Sequence, residues 1–159
     1  MKLALIAAIG DGGAIGYKGQ MPWKCSNDLK HFKQVTSADD AALVMGRRTW
    51  DSLPEPKLPG RVCVVLTSQP ITGRCLSASN FDDAIKMIEG LGLKKTFIIG
   101  GSLLFNEYYE KCDELYLTYI EAPIENADTF FNPIIKPQVW RAIESTIHTD
   151  CQITRWVKR

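Results

Sequence analysis

Five short apolar runs recur along the chain: LALIAAI (3–9), AALVMG (41–46), RVCVVLT (61–67), KTFIIGG (95–101) and ELYLTYI (114–120). They are rich in β-branched residues and mostly apolar on both faces, which predicts strands buried within a sheet. Between them the spacing predicts helices over 26–36, 80–89 and 102–111. In the first, Leu29, Phe32 and Val35 step by three residues and mark a buried stripe, with Ser26 or Asn27 placed to cap its start. Asn80 or Ser79 would cap the second. Strands alternating with helices predict an α/β fold on a largely parallel sheet with crossover helices. The last segment, 140–159, alternates polar and apolar residues around HTDCQ and predicts an antiparallel hairpin closing one sheet edge. Its end, RWVKR, reads as a solvated strand end.

Stretches rich in Pro and Gly at 10–22, 54–60 and 69–73 read as loops, and neither a repeat nor a linker divides residues 1–159, so one domain is expected. A chain of 159 residues is long enough to bury roughly 70% of its unfolded surface in one core. Charge adds little: 19 basic and 18 acidic residues leave a net +1, which gives no global field for nucleic acid or an anionic membrane. Five scattered cysteines, none in a C-x-x-C pair, argue against a disulfide framework and a zinc site and fit a reducing cytoplasm. The opening MKLALIAAI resembles a signal peptide slightly, but one Lys, a short apolar run and no small-x-small site favour a buried first strand. No apolar run approaches the ~20 residues of a membrane span, so a soluble protein is expected.

Chemistry should lie beyond the carboxyl ends of the strands, where open α/β sheets bind ligands. The glycine cluster GDGGAIG after the first run fails as a dinucleotide fingerprint, because Ile15 stands where the third glycine is needed. MGRRTW puts Gly46, Arg47, Arg48 and Thr49 at a short helix start, and LTSQP puts Thr67 and Ser68 at a neighbouring strand end. Together they would suit a terminal phosphate monoester; a solvated arginine pair beside turn-forming hydroxyls explains them equally well. Gly100 and Gly101, before Ser102, form either a tight turn or a close approach to a pyrophosphate. Asp28 lies four residues before Phe32, on the edge of the apolar stripe. It is either a first-turn acid complementing the helix dipole or a carboxylate facing a cleft, where it can accept two parallel hydrogen bonds from an amidine-like edge. Met21 and Trp23, large apolar residues in the preceding loop, favour the cleft. Arg61 is either a bidentate carboxylate clamp or a surface residue. His31, expected to face solvent beside Lys30, and His148 have no metal-ligand spacing.

A series of segments stands in order: IAAIG…AIG, MPW, DLKHFK, VMGRRTWDSLP, LPGR, LTSQP, FIIGGSLLF, LYLTYI and ADTFF. Singly each is weak; together they resemble the dihydrofolate reductase family, in its bacterial chromosomal form, along essentially the whole chain. The resemblance implies a central eight-stranded, mostly parallel sheet with one antiparallel strand near the C-terminus and four flanking helices. It implies reduction of 7,8-dihydrofolate to tetrahydrofolate by hydride transfer from NADPH, supplying one-carbon metabolism and thymidylate synthesis, in a cytoplasmic monomer open to antifolate inhibitors. Carried over by position, Asp28 would pair with the pteridine's amino and ring N–H groups, helped by Thr118 through a water. Ile6, Ala8, Leu29, Phe32, Leu53, Leu58 and Ile99 would line the pterin and aminobenzoate cleft, Arg61 would take the glutamate α-carboxylate and Lys57 would assist. Residues 10–25 match the mobile lid, with Met21 over the nicotinamide and Trp23 holding a water near the pterin. Ala14, Ile15, Gly16 and Gln20, with Gly100, Gly101 and Ser102, match the stretches around nicotinamide, ribose and pyrophosphate. Gly46 and Thr49 match the pyrophosphate-binding helix start, and Arg47, Arg48, Leu66, Thr67 and Ser68 the adenosine 2′-phosphate side.

Three positions depart from the family pattern. Phe105 stands where many relatives carry a tyrosine near the nicotinamide, Leu103 where a base is frequent and Ser79 where a lysine is frequent; the IENAD loop also differs in length. The runner-up readings are a related reductase of riboflavin biosynthesis and a folate- or nucleotide-binding protein without turnover. Asp28, Arg61 and MPW suit a pterin with a glutamate tail rather than the ribityl phosphate substrate of the first, and Asp28, Trp23 and both glycines count against the second.

Overall fold

The computed structural model describes residues Met1–Arg159. Its main sheet is built from β1 (Lys2–Ile9), β3 (Ala41–Gly46), β4 (Val62–Leu66), β5 (Leu76–Ala78), β6 (Lys95–Gly100), β7 (Glu114–Ile120), β9 (Trp140–Ile147) and β10 (Cys151–Lys158). The strand order is β5-β4-β3-β6-β1-β7-β10-β9. All pairings from β5 to β7 are parallel, and β10 alone runs against its neighbours on both sides. Four helices flank the sheet: α1 (Ser26–Thr36), α2 (Arg47–Ser52), α3 (Phe81–Gly90) and α4 (Ser102–Tyr108). No helix is long and apolar enough to cross a membrane.

Alternation along the strands divides the core between the two faces of the sheet. Leu5, Ala7 and Ile9 of β1 join Phe81, Ala84 and Ile88 of α3 and Phe105 of α4 on one face. Ala4 and Ile6 face the other way, with Trp50 of α2 buried and Phe32 and Val35 of α1 packed at the margin.

Several local expectations change. The N-cap of α1 is Cys25, without a side-chain cap, and Asn27 instead donates from Nδ2 to Asp150 Oδ1 at 3.0 Å. Asn80 does cap α3, accepting from the Asp83 amide at 2.8 Å. Leu29 is 53% exposed, and the fully buried positions of α1 are Asp28 and Thr36. The helix is thus turned by about one residue from its apolar stripe, leaving one flank of that stripe uncovered. His31 is half-buried near the Tyr116 ring, and burial lowers its pKa, so it does not face solvent. The helical run 102–111 ends as α-helix at Tyr108 and tightens into a 3₁₀ turn over Tyr109–Lys111. That turn buries Tyr109 edge-on against Phe131, 5.6 Å between ring centres. Loop 10–22 also contains structure: β2 (Ala14–Gly16) pairs with β8 (Thr129–Phe130). Neither this ribbon nor β5 is long enough to show a period.

RWVKR is solvated only at Lys158 and Arg159, while Arg155, Trp156 and Val157 are partly buried. Arg155 Nη2 donates to Glu114 Oε1 at 2.8 Å, and Glu114, 3% exposed at its side chain, also holds Lys95 Nζ at 2.5 Å.

Candidate active site

The carboxyl ends of β4, β3, β6, β1 and β7 lie side by side along one sheet edge. Register sets Gly46 opposite Leu66 and Met45 opposite Gly100, so the three junctions singled out for phosphate chemistry are neighbours. Gly100, with φ +143, requires glycine: a Cβ there would lie 3.0 Å from Thr49 Oγ1, and one on Gly101 3.4 Å from the same hydroxyl. Thr49 of α2 therefore rests directly on the β6–α4 turn, whose Gly100–Gly101 peptide is cis and which continues into Ser102. Nothing lies within 4 Å of a Cβ built on Gly46, so bare backbone faces open space there.

The arginines are not equivalent. Arg47 Nε bonds Asp51 Oδ1 at 3.1 Å and Nη1 donates to the Pro70 carbonyl at 3.1 Å. Arg48 is exposed and forms no ion pair, which leaves it as the free cation of the edge. Thr67 Oγ1 accepts from the Gln69 amide at 3.1 Å in a turn, its hydroxyl hydrogen still available, and Ser68 is exposed beside it.

Across β6 and β1 the edge turns apolar. Ile6, Phe32, Leu53, Leu58 and Ile99 gather around one core cluster, and Ala8 pairs in register with Thr118 of β7. Asp28, on the first turn of α1, is buried here beside Thr118, and it forms no ion pair. Burial raises its pKa, and hydrogen bonding by Thr118 offsets this only in part. Trp23 is 8% exposed with its Nε1–H buried and unpartnered, whereas Met21 and Leu29 remain half exposed at the mouth. An unpaired carboxylate, an orphaned indole N–H and exposed apolar groups form a cleft suited to a flat, largely apolar ligand with a polar edge.

Arg61 stands at the far end of α1, where Nη1 donates to Thr36 Oγ1 at 3.1 Å. Eight residues at 1.5 Å rise put Thr36 about 12 Å along the helix from Asp28. Lys57 turns inward, donating from Nζ to the Trp50 carbonyl at 2.6 Å and lying 5.1 Å over the Trp50 ring. Phe105 lies outside the cleft: it is buried on the opposite face of the sheet against Phe131, where its ring supports the Gly100 turn from below.

The loop carrying Ala14, Ile15, Gly16, Gln20, Met21 and Trp23 is held by a partner that sequence reasoning missed. The Lys18 amide donates to Asp128 Oδ2 at 2.9 Å, the Asp128 amide to Gly16 O at 2.9 Å, and the Phe131 amide to Gly13 O at 2.8 Å. Gly13, at φ +85, comes so close to Asn132 that a Cβ would lie 2.2 Å from its Oδ1. The Lys18 N–H and the Thr129 hydroxyl lower the pKa of Asp128. The sequence marked ADTFF as a segment in the ordered series and IENAD as a loop of unusual length, but gave the acid they share no partner. In Asp128→Ala the Lys18 amide loses its charged acceptor, and its hydrogen exchange should speed about tenfold with little change in β1 or β6. Exchange mass spectrometry of the 10–20 segment reads this; unchanged exchange there would remove Asp128 as the anchor.

Residues 2–155 match the family model described as dihydrofolate reductase. The dihydrofolate reductase of Heliothis virescens is 34% identical over 169 residues, covering 96% of this chain and 91% of that protein. Dihydrofolate reductase type 3 of Salmonella typhimurium is 37% identical over 150 residues, 93% of this chain and 88% of its own. A Staphylococcus aureus dihydrofolate reductase is 38% identical over 139 residues, 84% and 79% of the two chains. With its sheet order, its glycine-turned strand end and its buried acid all falling inside the matched span, the chain belongs to the dihydrofolate reductase family.

Proposed function

We propose that NADPH is the hydride donor and that the cleft between α1 and the sheet edge holds the pterin against it. The reaction is reduction of dihydrofolate to tetrahydrofolate, which makes the chain an oxidoreductase of the nicotinamide-dependent kind. The observation that carries the residue assignment is Asp28: a carboxylate buried without a cation is stabilised only when a ligand brings N–H donors to it. The pteridine's amino and ring N–H groups are such a pair, with Thr118 as a second polar group and the Trp23 N–H free for a water beside them. Ile6, Ala8, Leu29, Phe32, Leu53, Leu58 and Ile99 would flank the rings. Arg61, about 12 Å farther along α1, is suitably distant for the glutamate α-carboxylate. Lys57 is committed to Trp50 and would assist only by releasing it. Antifolates offering the same donor edge would compete at Asp28.

The residues of the sheet edge fit a dinucleotide. The bare backbone of Gly46, the Gly100–Gly101 turn and Ser102 would receive the pyrophosphate, with Thr49 seated against that turn. Arg48, Thr67 and Ser68 would hold the 2′-phosphate, Arg47 joining them at the expense of Asp51, and Leu66 would border the adenosine. Ala14, Ile15, Gly16 and Gln20, with Met21, would close over the nicotinamide. When bound, NADPH would supply the hydride for C6 of the pterin; the chain's own residues would align the rings, exclude bulk water through the 10–25 loop and leave N5 open to a water near Trp23. Phe105, under the Gly100 turn, would support the cofactor side rather than line the pterin cleft. Five free cysteines suit a reducing cytoplasm, and we expect one domain acting as a monomer.

Loss of NADPH absorbance on adding dihydrofolate tests the reading, and NADH should be a much poorer donor. Arg48→Ala should raise KM for NADPH about tenfold and leave that for NADH nearly unchanged. A variant that weakens both cofactors equally would show that Arg48 does not read the 2′-phosphate.

A further inference from the structure

Two cysteines 126 positions apart in sequence meet at the joint between the 10–25 loop and α1. Cys25, the N-cap of α1, and Cys151, the first residue of β10, are 3% and 0% exposed, and Asp150 sits half-exposed between them and solvent. The two sulfurs and a carboxylate oxygen of Asp150 all lie within 4.8 Å of one another. We propose that Cys25, Asp150 and Cys151 form a binding site for one thiophilic divalent cation of the zinc type.

The donor set is that of a zinc site with three protein ligands and a fourth position open to water. Tetrahedral bonds of about 2.3 Å to sulfur and 2.0 Å to oxygen put those two ligand atoms roughly 3.5 Å apart. Cys25 Sγ stands 3.4 Å from Asp150 Oδ2, so that edge is already formed. Asp150 is oriented for it: Asn27 Nδ2 binds Oδ1 at 3.0 Å and leaves Oδ2 turned to the sulfur, the outer-shell arrangement that fixes a ligating carboxylate. The backbone on either side is fixed by the Glu121 amide on Asp150 O at 3.0 Å and the His148 amide on Cys151 O at 2.8 Å. Entry is from the Asp150 side, the one donor that solvent reaches. Sequence spacing concealed the site, because the hairpin supplies adjacent ligands and the third arrives from the far end of the chain. A bound cation would bridge the start of α1, three residues before Asp28, to the β9–β10 hairpin. Both sulfurs would ligate as thiolates, so binding releases protons and tightens as pH rises.

Cobalt(II) titration of the full chain, kept reduced with a non-thiol reductant, reads the site through thiolate-to-cobalt charge-transfer absorption. One equivalent should saturate the band, excess zinc should abolish it, and zinc should raise the thermal midpoint. Cys25→Ser and Cys151→Ser should lose the band, while Cys75→Ser, in a separate core cluster with Cys63, should keep it. Asp150→Asn leaves both buried thiols in place, so it keeps the test informative if a cysteine variant misfolds; it should weaken cobalt at least about tenfold. No charge-transfer band in the folded, reduced protein overturns the proposal. So does a band that Cys75→Ser removes, or one that Asp150→Asn leaves at full affinity.

Discussion

Asp28→Asn should cut the rate of hydride transfer at neutral pH by about 10²–10⁴-fold and at the same time raise thermal stability there. Both effects come from one fact: the carboxylate is buried, has no cation beside it and has its pKa raised by that burial. An amide keeps the size and a hydrogen-bond acceptor but presents N–H where the ligand's own donors must sit, so the pterin loses its charged partner. The stability effect has a defined sign. A folded-state pKa above that of the unfolded chain means that the folded protein holds the proton more tightly, so stability falls as pH rises from the ordinary carboxyl value of 3.8 through the folded-state pKa. The cost of burying the anion is therefore absent well below 3.8 and grows as the pH rises through the raised folded-state pKa. The variant should therefore melt above the wild type at pH 7 and alongside it in acid. Single-turnover rates with NADPH and scanning calorimetry across pH read the two halves. Wild-type hydride transfer in the variant would end the assignment of Asp28.

The strands and the hairpin were legible because burial on both faces, or on alternate positions, writes its period directly into the residues. The grouping of glycines, arginines and hydroxyls at neighbouring strand ends was legible too, since they fall together once the strands are ordered. Other features depended on partners distant in the chain. Leu29 looked like core because it is apolar and correctly spaced, yet α1 is turned by Thr36 and Asp28 packing inward, and the exposed flank of its stripe becomes a cleft wall. Asp128 and Asp150 are unremarkable acids in turns until Lys18 and Cys25 arrive beside them. Phe105 shows the converse: a position assigned through resemblance lies behind the sheet, where packing against Phe131 decides its surroundings.

Glu114→Gln should destabilise the fold by about 3–5 kcal/mol, a large part of the 5–15 kcal/mol that holds a domain together, and lower the melting point by about 10 °C. Glu114 opens β7 with a side chain only 3% exposed, and its oxygens meet Lys95 Nζ at 2.5 Å, Arg155 Nη2 at 2.8 Å and the Tyr116 hydroxyl at 3.0 Å. Burial alone would raise its pKa, but Lys95, then Arg155 and Tyr116, outweigh it and hold the carboxyl at about 2. Glutamine keeps the shape and the tyrosine contact yet leaves the partly buried Lys95 without a counter-charge and Arg155 with only the exposed Glu144, 3.3 Å from its Nη1, which is why the loss exceeds that of a surface pair. Since the pKa is depressed, the wild type has this contribution above the unfolded value of 4.5 and loses it as pH falls toward about 2. The gap between the two proteins should be full at neutral pH and close across that acid window. Four residues along the same strand stands Thr118, and Tyr116 lies against His31 of α1 with ring centres 6.3 Å apart, so the network also sets how β7 and α1 hold Asp28. Urea unfolding at neutral and acid pH measures the difference. Equal midpoints at neutral pH would mean that the cations find solvent when the carboxylate is gone, and that the network does not anchor the site.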